Sequence, residues 1–242
     1  MNKARMKILQ ALPVILTILF FAMRVSAQQE DLCLWSKFNI EKALSSRISV
    51  FFNQETRLQE NITRPDELYL ETSGTLKAGK GLKFSLGYRF SGKYNAEKYY
   101  SLGMRYHHRT FFDINYKVKS SQFTFLYRSR IQEELKNYYS SDKGKVPEWY
   151  WRNKFEAKYR IRRFEPYIGL EPHFQIRDPR NPLADYSLNR IWIFAGIDIT
   201  IVKNQILEIY YMIQREWNMP MPVNKYIIGI EYSINLPHVK HK

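Results

Sequence analysis

The residues best suited to general acid–base chemistry are the five histidines of this 242-residue chain. His107 and His173 fall on the polar faces of predicted strands, His108 falls on an apolar face, and His238 and His241 lie near the C-terminus. A hydrolase needs a nucleophile beside a positioned base, or paired carboxylates. No serine, aspartate and histidine have a recognisable spacing. A hydrolase embedded in a membrane is therefore only an alternative to the main prediction.

The sequence predicts no bound cofactor and no metal. Its glycines form no phosphate-binding loop, and no zinc or calcium spacing is present. The single cysteine, Cys33, excludes an intrachain disulfide framework and a zinc site built from several thiolates.

Charged side chains on the polar faces of the predicted strands are the second group that could bind or select a ligand. Opposite charges on neighbouring strands attract one another. If the strands closed into a barrel, contacts among Arg, Lys, Glu and Tyr would fill its lumen. Alternatively, rings of charge set selectivity in pores, and a small positive excess would give a narrow pore a weak preference for small anionic solutes. The pore-lining candidates are Arg105, Arg109, Arg128, Arg130, Arg152, Lys154, Lys158, Arg160, Glu55, Glu156 and Glu171. The basic candidates come from three successive strands, which predicts one patch on the wall.

A period of two in hydrophobicity would position these side chains. Apolar and polar residues alternate along segments from residue 32 to residue 236, as they do in β-strands with one apolar face. None of the segments has the 3.6-residue period of an amphipathic helix. The predicted strands, eleven in all, cover residues 32–43, 47–60, 67–77, 82–91, 102–118, 122–135, 149–161, 166–177, 191–201, 207–216 and 225–236.

Alternation alone does not say whether the apolar face meets a protein core or lipid. A soluble sandwich or barrel points its apolar residues inward, whereas an outer-membrane barrel points them toward lipid and keeps polar residues in its lumen. Few of the charged residues in the predicted strands fall on the apolar faces, among them Lys42, Glu133 and Arg215. A soluble, secreted β-barrel binding protein is the alternative at this point.

The lengths of the connections favour the membrane. Short connections near residues 44, 79, 120, 163 and 203 alternate with longer ones at 61–66, 93–101, 136–148, 178–189 and 218–224. Outer-membrane barrels have short periplasmic turns and longer external loops. The sequence therefore predicts an all-β fold, an antiparallel up-and-down transmembrane β-barrel of about 10–12 strands with this arrangement of turns and loops.

Aromatic residues near the longer connections are predicted to lie at the membrane interface, where amphipathic rings are enriched. They are Tyr99, Tyr100, Tyr138, Tyr139, Trp149, Trp151, Trp192, Trp217 and Tyr226. Packing in a protein core is the alternative for these rings.

The strand count conflicts with the usual architecture. Bacterial barrels have an even number of strands and both ends in the periplasm, so eleven strands would begin residues 32–43 outside the cell. Either that segment lies off the wall and ten strands remain, or one more strand makes twelve.

The N-terminal segment predicts export. Three basic residues within the first seven precede a largely apolar run, and Val25-Ser26-Ala27 supplies small residues for cleavage. We expect residues 1–27 to be a cleaved signal peptide, with an uncleaved anchor helix as the alternative, and residues 28–242 to form a single β-barrel domain. The chain would then reside in the outer membrane of a Gram-negative bacterium, in contact with its lipid.

The charge of the chain does not point to nucleic acid. The formal net charge is +15, but the basic residues are spread through the predicted strands and form no arm. We therefore expect no nucleic-acid partner, and the sequence predicts no oligomeric state.

Several short motifs resemble the domain-of-unknown-function family numbered 2490, which comprises exported proteins found largely in Bacteroidota. The motifs are Trp35, Gln54-Glu55-Thr56-Arg57, His108-Arg109 followed by Asp113 and Tyr116-Lys117, and Tyr127-Arg128-Ser129-Arg130. Their order and spacing extend the resemblance from about Trp35 to Leu236. The resemblance implies an outer-membrane β-barrel and implies no activity. The charged polar faces lead us to expect a structural role or that of a narrow, largely side-chain-filled pore.

Overall fold

The computed structural model describes residues 30–94, 104–136, 146–178, 185–218 and 222–238. The predicted signal peptide lies outside these residues. Among them, no helix is long and apolar enough to span a bilayer. The strands are β1 (Glu30–Ala43), β2 (Ile48–Gln59), β3 (Arg64–Lys77), β4 (Leu82–Tyr94), β5 (Met104–Ser120), β6 (Phe123–Lys136), β7 (Glu148–Tyr159), β8 (Phe164–Arg177), β9 (Ser187–Val202), β10 (Gln205–Glu216) and β11 (Asn224–Leu236).

The strands form a closed barrel whose apolar residues face outward. Ile209 and Ile230 are each 43% exposed on the outer surface, whereas Arg130 on the inner surface is 5% exposed. Because side chains alternate between the two faces of a strand, the period of two in the sequence becomes an apolar exterior and a charged lumen. The predicted fold class and the predicted orientation of its faces are confirmed.

Closure of the barrel joins β1 to β11 in parallel, and the other neighbouring strands are antiparallel. The pairing runs in register from Glu30 opposite Asn224 to Lys42 opposite Leu236. Residues 32–43 therefore lie in the wall, and the described residues form a barrel of eleven strands, neither ten nor twelve. Strands joined by hairpins alternate in direction, so the first and last members of an odd set run the same way and can close the barrel only in parallel.

The two ends of the barrel differ in their connections. The turns at residues 44–47, 78–81, 121–122, 160–163 and 203–204 define the short-turn end, and the opposite end carries the long loops. One predicted long connection is wrong, because only residues 60–63 separate β2 from β3. Pro65 belongs to β3, where it lies opposite Leu58 beside a register shift. A proline lacks an N–H, and such irregular pairing accommodates it in a strand.

The aromatic residues predicted at the membrane interface divide into three groups. Trp151 and Trp217 lie on the outside near the long-loop end, where 41% and 43% of their surfaces are exposed. Trp192 instead faces the lumen, where its ring meets Trp35 edge-on at 5.6 Å and its Nε1–H donates to Gln214 at 2.8 Å. Its parity in β9 points it inward, although it lies near the long-loop end.

The remaining aromatic predictions concern both described and undescribed residues. Trp149 and Tyr226 have outward parity in β7 and β11 and are half-buried. The predictions for Tyr99, Tyr100, Tyr138 and Tyr139 fall outside the described residues.

The parallel seam can be tested by cross-linking. In a Cys33→Ala background, Ser36→Cys combined with Ile230→Cys should form an intramolecular disulfide, because the two residues are directly paired on the outer face. The geometry of parallel strands lies within disulfide reach. Peptide mass spectrometry after oxidation would detect the link. Ser36→Cys with Ile234→Cys is the control, because Ile234 pairs with Ile40 and lies about 13 Å further along. Equal yields from the two pairs would contradict this closure.

Candidate functional site in the barrel lumen

The half of the lumen nearest the long loops is filled by hydrogen-bonded polar side chains. Glu148 and Gln175 are 1% and 0% exposed. The Lys136 ammonium donates to Glu148 Oε1 at 2.5 Å, and the Asn189 amide donates to Gln175 Oε1 at 2.6 Å. Buried polar groups satisfied in this way resemble a protein interior more than a water channel.

An arginine layer crosses the middle of the lumen, and each of its arginines contacts a carboxylate. Its members are Arg57, Arg89, Arg128, Arg130 and Arg152. Arg130 on β6 donates from Nε and Nη2 to the two carboxylate oxygens of Asp113 on β5, at 2.7 and 2.8 Å. Its Nη1 also lies 3.6 Å from Glu71, which in turn is 2.5 Å from Arg89 Nη2. Paired N–H donors match the two oxygens of a carboxylate and make such contacts strong.

The same layer continues on β7 and β8 around Glu171. The Oε1 atom of Glu171 is 2.6 Å from Arg152 Nη2 and 3.1 Å from Arg128 Nη2. Arg152 also donates to Gln132 at 3.3 Å. One buried carboxylate therefore holds two guanidinium groups in place across the lumen.

Toward the short turns the lumen opens into a cavity of about 520 Å³, which we call the vestibule. It extends from the arginine layer to Gly81, Lys83 and Lys117 at the short-turn end. The charged residues that line it are the basic Lys37, Arg57, Lys83, Arg89, Lys117, Arg128, Arg130, Arg152 and Lys154 and the acidic Glu41, Glu55, Glu71, Asp113, Glu156, Glu171, Glu208 and Glu231. The nine basic and eight acidic residues nearly cancel, so any preference for anions comes from where the charges lie and not from their sum.

Stacks of a glycine, an aromatic ring and a cation line the lumen wall. Tyr210 lies opposite Gly229, and a Cβ atom placed on that glycine would be 1.9 Å from the ring. The Lys37 ammonium lies 5.2 Å from the centre of the Tyr210 ring, a cation–π distance. The same order recurs in Gly87, Phe111 and Arg130 and in Gly169, Phe194 and Lys154. At Gly196 it is the hydroxyl of Tyr167, the ring beneath Lys158, that comes within 2.7 Å of the Cβ position. The glycines let the rings lie flat on the wall, and the flat rings carry the cations.

The predicted pore-lining residues extend along the whole barrel. Arg105 is exposed near the long-loop end, whereas Arg160 lies in the turn after β7, where it is 2.6 Å from Glu165. The strand β7 ends at Tyr159, one residue before Arg160. These two arginines are therefore at opposite ends of the molecule, and Arg160 belongs to the rim and not to the wall.

The other predicted candidates face the lumen beside opposite charges. Arg109 is 2.8 Å from Glu134, Lys154 is 2.8 Å from Glu156, and Lys158 is 2.5 Å from Asp198. Glu55 is fully buried, and Tyr69 donates a hydrogen bond to it. The structure thus brings the predicted basic residues to carboxylates.

Several residues of the arginine layer were not selected from the sequence. Arg57 is 2.5 Å from Glu55 and 2.9 Å from Glu67, and Arg89 binds Glu71. Their parity already pointed them to the polar face, but pairing a cation with a particular carboxylate requires the register between strands. The cross-strand register was the missing signal.

The described histidines of the strands do not converge on one site. His107 Nδ1 is 2.5 Å from a carboxylate oxygen of Glu134 in the lumen, whereas His108 is hydrogen-bonded at 2.6 Å to the Tyr88 hydroxyl on the outer wall. The ring of His173 lies 4.5 Å from that of Trp192. Among the described residues, no group of three or more His, Cys, Asp or Glu side chains could hold a metal ion.

The stacks can be tested by giving a glycine a methyl group. Gly229→Ala should lower the free energy of unfolding by about 1–3 kcal/mol, because the methyl would overlap the Tyr210 ring and overpacking has that cost. Urea unfolding in phosphatidylcholine vesicles, followed by tryptophan fluorescence, measures it. Gly74→Ala is the matched control, because nothing lies within 4 Å of its Cβ position. A loss of stability at Gly74 as large as that at Gly229 would show that the ring contact is not the cause.

Comparison with solved structures finds a similarity to a porin. The chain is similar to the NanC porin in its rhombohedral crystal form, with 11% sequence identity and a TM-score of 0.48, over 76% of this chain and 86% of that chain. A search of curated proteins gives no match.

Comparison with protein families matches most of the chain to one of them. The match covers residues 33–221, from the start of β1 to the connection before β11. This span includes ten complete or nearly complete strands and the arginine layer. The chain therefore belongs to the family described as "Protein of unknown function (DUF2490)".

Proposed function

We propose that this protein is an outer-membrane β-barrel that closes its own lumen and presents the vestibule to the periplasm. The polarity of the wall carries the proposal, because large apolar side chains cover the outside while charged ones fill the inside. In the proposed orientation the short turns lie in the periplasm and the long loops outside the cell. The role that follows is structural, with one blind cavity open to solutes from the inner side.

A hydrocarbon environment fits the exterior better than water does. Leu86 and Ile168 are 68% and 67% exposed, and they belong to an apolar belt that continues around the barrel. Soluble proteins rarely expose contiguous apolar patches of this kind. A closed sheet also has no free edge of unpaired backbone groups, which is a requirement for spanning lipid. These features favour the membrane protein over the soluble, secreted binding protein.

A sealed lumen fits the interior better than an open anion-selective pore does. A selective pore needs charges that face water along the path of the ion. In the middle of this lumen Arg130 and Arg152 are 5% and 7% exposed, and both contact carboxylates. We therefore propose that the predicted basic lining closes the lumen through ion pairs. Small anionic solutes would reach the vestibule without crossing the arginine layer.

The hydrolase is a weaker proposal. A barrel-wall enzyme needs a nucleophile beside a positioned base. The imidazole on the outer wall, His108, contacts the Tyr88 hydroxyl, and the Thr110 hydroxyl nearby donates to Glu133 at 3.3 Å. These are two separate pairs and not a relay from acid to base to nucleophile.

If lipid surrounds the barrel, the cost of an outward-facing lysine should depend on its depth in the bilayer. Leu86→Lys, within the apolar belt, should lower the free energy of unfolding in lipid vesicles by about 2–4 kcal/mol, whereas Leu44→Lys, in a short turn, should cost about 0–1 kcal/mol. Both leucines are more than half exposed, at 68% and 53%. In a soluble protein two exposed leucines would tolerate lysine about equally. Equal, small effects in urea titrations would therefore contradict the membrane placement.

The proposed closure predicts electrical silence. The purified barrel in planar bilayers should show no discrete current steps. The triple variant Arg128→Ala, Arg152→Ala and Glu171→Ala should show such steps, because it removes both charge signs of one contact group and opens the layer without leaving a lone buried charge. Arg160→Ala with Glu165→Ala is the control, because that ion pair lies on the rim. Steps from the unaltered protein would reject the sealed lumen.

A further inference from the structure

Several lysines lie close together at one side of the mouth of the vestibule, at the short-turn end. Lys77 on β3 lies directly opposite Lys83 on β4, and side chains in such pairs have Cβ atoms about 4.5–5.5 Å apart. On β5, Lys117 and Lys119 have the same inward parity, and the charges of Lys83 and Lys119 both repel that of Lys117. We call Lys77, Lys83, Lys117 and Lys119 the lysine cluster. Like charges placed directly across a sheet are destabilising.

The lysine cluster departs from the rule that holds deeper in the lumen. The arginines of the middle layer contact carboxylates at 2.5–3.1 Å, and even Lys158, near the same mouth, is 2.5 Å from Asp198. Among the residues that the structure describes, none of the four lysines of the cluster makes an ion pair with a carboxylate. Carboxylates therefore neutralise the deep cations by direct contact, and among the described residues none contacts these four. Glu165 attracts Lys117 only from beyond ion-pair distance, and it is itself paired with Arg160.

The turn between β3 and β4 fixes the lysine cluster at the mouth. Gly81 has φ +82°, and its carbonyl accepts a hydrogen bond of 2.9 Å from the backbone N–H of Lys117. A Cβ atom on Gly81 would lie 2.1 Å from the Lys117 carbonyl oxygen. Only glycine allows both the left-handed backbone and this close approach, so the turn holds Lys83 beside Lys117 in spite of their repulsion.

The cluster opens into a space that could hold a ligand. Lys83 and Lys117 line the vestibule, together with the polar side chain of Asn115, which is the cross-strand partner of Lys83. The volume of about 520 Å³ lies within the range of small-molecule sites. Several positive charges at the mouth of a low-dielectric cavity raise the local concentration of anions.

We propose that the lysine cluster binds a compact, soluble polyanion that carries several phosphate or carboxylate groups and enters the vestibule from the short-turn side. Ammonium groups act as point charges toward such oxygens, and a bound polyanion would remove the repulsion between the lysines. A soluble ligand is favoured over a lipid head group because these side chains point inward. Their outward neighbours Leu76 and Val118, which are 48% and 41% exposed, face the surroundings of the barrel.

The inference rests on the vestibule of the proposed function but not on the sealing of the lumen. A barrel that conducts ions could still bind the polyanion, and a silent barrel could fail to bind it. The binding and conductance experiments therefore fail independently.

Calorimetry with inorganic tripolyphosphate tests the proposal. We expect saturable binding to the purified full-length barrel in dodecyl maltoside at fixed ionic strength, and at least a tenfold weaker affinity for Lys83→Gln with Lys117→Gln. Arg47→Gln with Lys203→Gln is the matched control, because it removes the same charge from other turns of the same end and should keep the affinity within twofold. The absence of saturable binding, or an equal loss in the control, would overturn the proposal.

Thermal unfolding without the probe separates binding from folding. The double variant Lys83→Gln with Lys117→Gln should unfold at the same temperature as the unaltered protein or higher, because it removes repulsion and no ion pair. A lower midpoint would mean that the lysines stabilise the barrel and would count against a ligand site.

Nanodiscs distinguish a soluble anion from a lipid. Tripolyphosphate should bind with equal affinity in discs of phosphatidylcholine and in discs that contain phosphatidylglycerol. Competition from the anionic lipid that disappears in the Lys83→Gln and Lys117→Gln variant would assign the cluster to a lipid head group and overturn the soluble ligand.

Discussion

The confinement of charge in a narrow lumen is the constraint on which the rest of this structure depends. The outer wall is apolar, so charged side chains of the strands have to turn inward, where little water is left to solvate them. They neutralise one another instead, and single carboxylates serve two cations. Glu171 contacts Arg128 and Arg152, and Glu71 contacts Arg89 and Arg130. Removal of Glu171 would leave the guanidinium groups of Arg128 and Arg152 without their carboxylate, a larger perturbation than the loss of an exposed ion pair.

Aromatic rings add a second mode of neutralisation to these ion pairs. The Arg130 guanidinium lies 3.7 Å from the centre of the Phe111 ring, and that ring lies over Gly87. The glycine provides the depth in the wall that the ring needs, since any larger residue would push the ring toward the barrel axis. The lumen therefore depends on small residues in the strands as much as on charged ones, because they set how close the cations lie to the wall.

Local patterns in the sequence predict the faces of the strands, but not which strands meet. Parity along a strand depends only on adjacent residues, and it correctly placed Ile209 outside and Arg130 inside. The pairing of β1 with β11 joins residues almost two hundred positions apart, and nothing local in residues 32–43 distinguishes a parallel neighbour from an antiparallel one. Trp192 shows the same limit, because its place in the chain suggested the interface while its parity turned it inward toward Trp35.

The candidate site was predictable to the same extent. The sequence identified inward-facing charges such as Arg128 and Lys158, but the identity of each partner is a property of register. The opposition of Lys77 and Lys83 likewise follows from the length of the turn at 78–81, which determines the pairs in that hairpin. A one-residue change in that turn would shift the pairing and separate the two charges.

The cations at the short-turn end of the lumen and those deeper in it differ in their partners. This difference favours binding of an anion over its conduction. Conduction requires sites of comparable strength along the whole path, so that an ion can leave each one for the next. Among the described residues, no carboxylate makes an ion pair with Lys83 or Lys117 at the mouth, whereas Arg130 and Arg152 further in are already paired with Asp113 and Glu171. An anion at the mouth would gain nothing by moving deeper, because it would have to displace carboxylates that are fixed to the wall. The distribution of partners along the axis therefore favours retention at the short-turn end, even though the vestibule as a whole is nearly neutral.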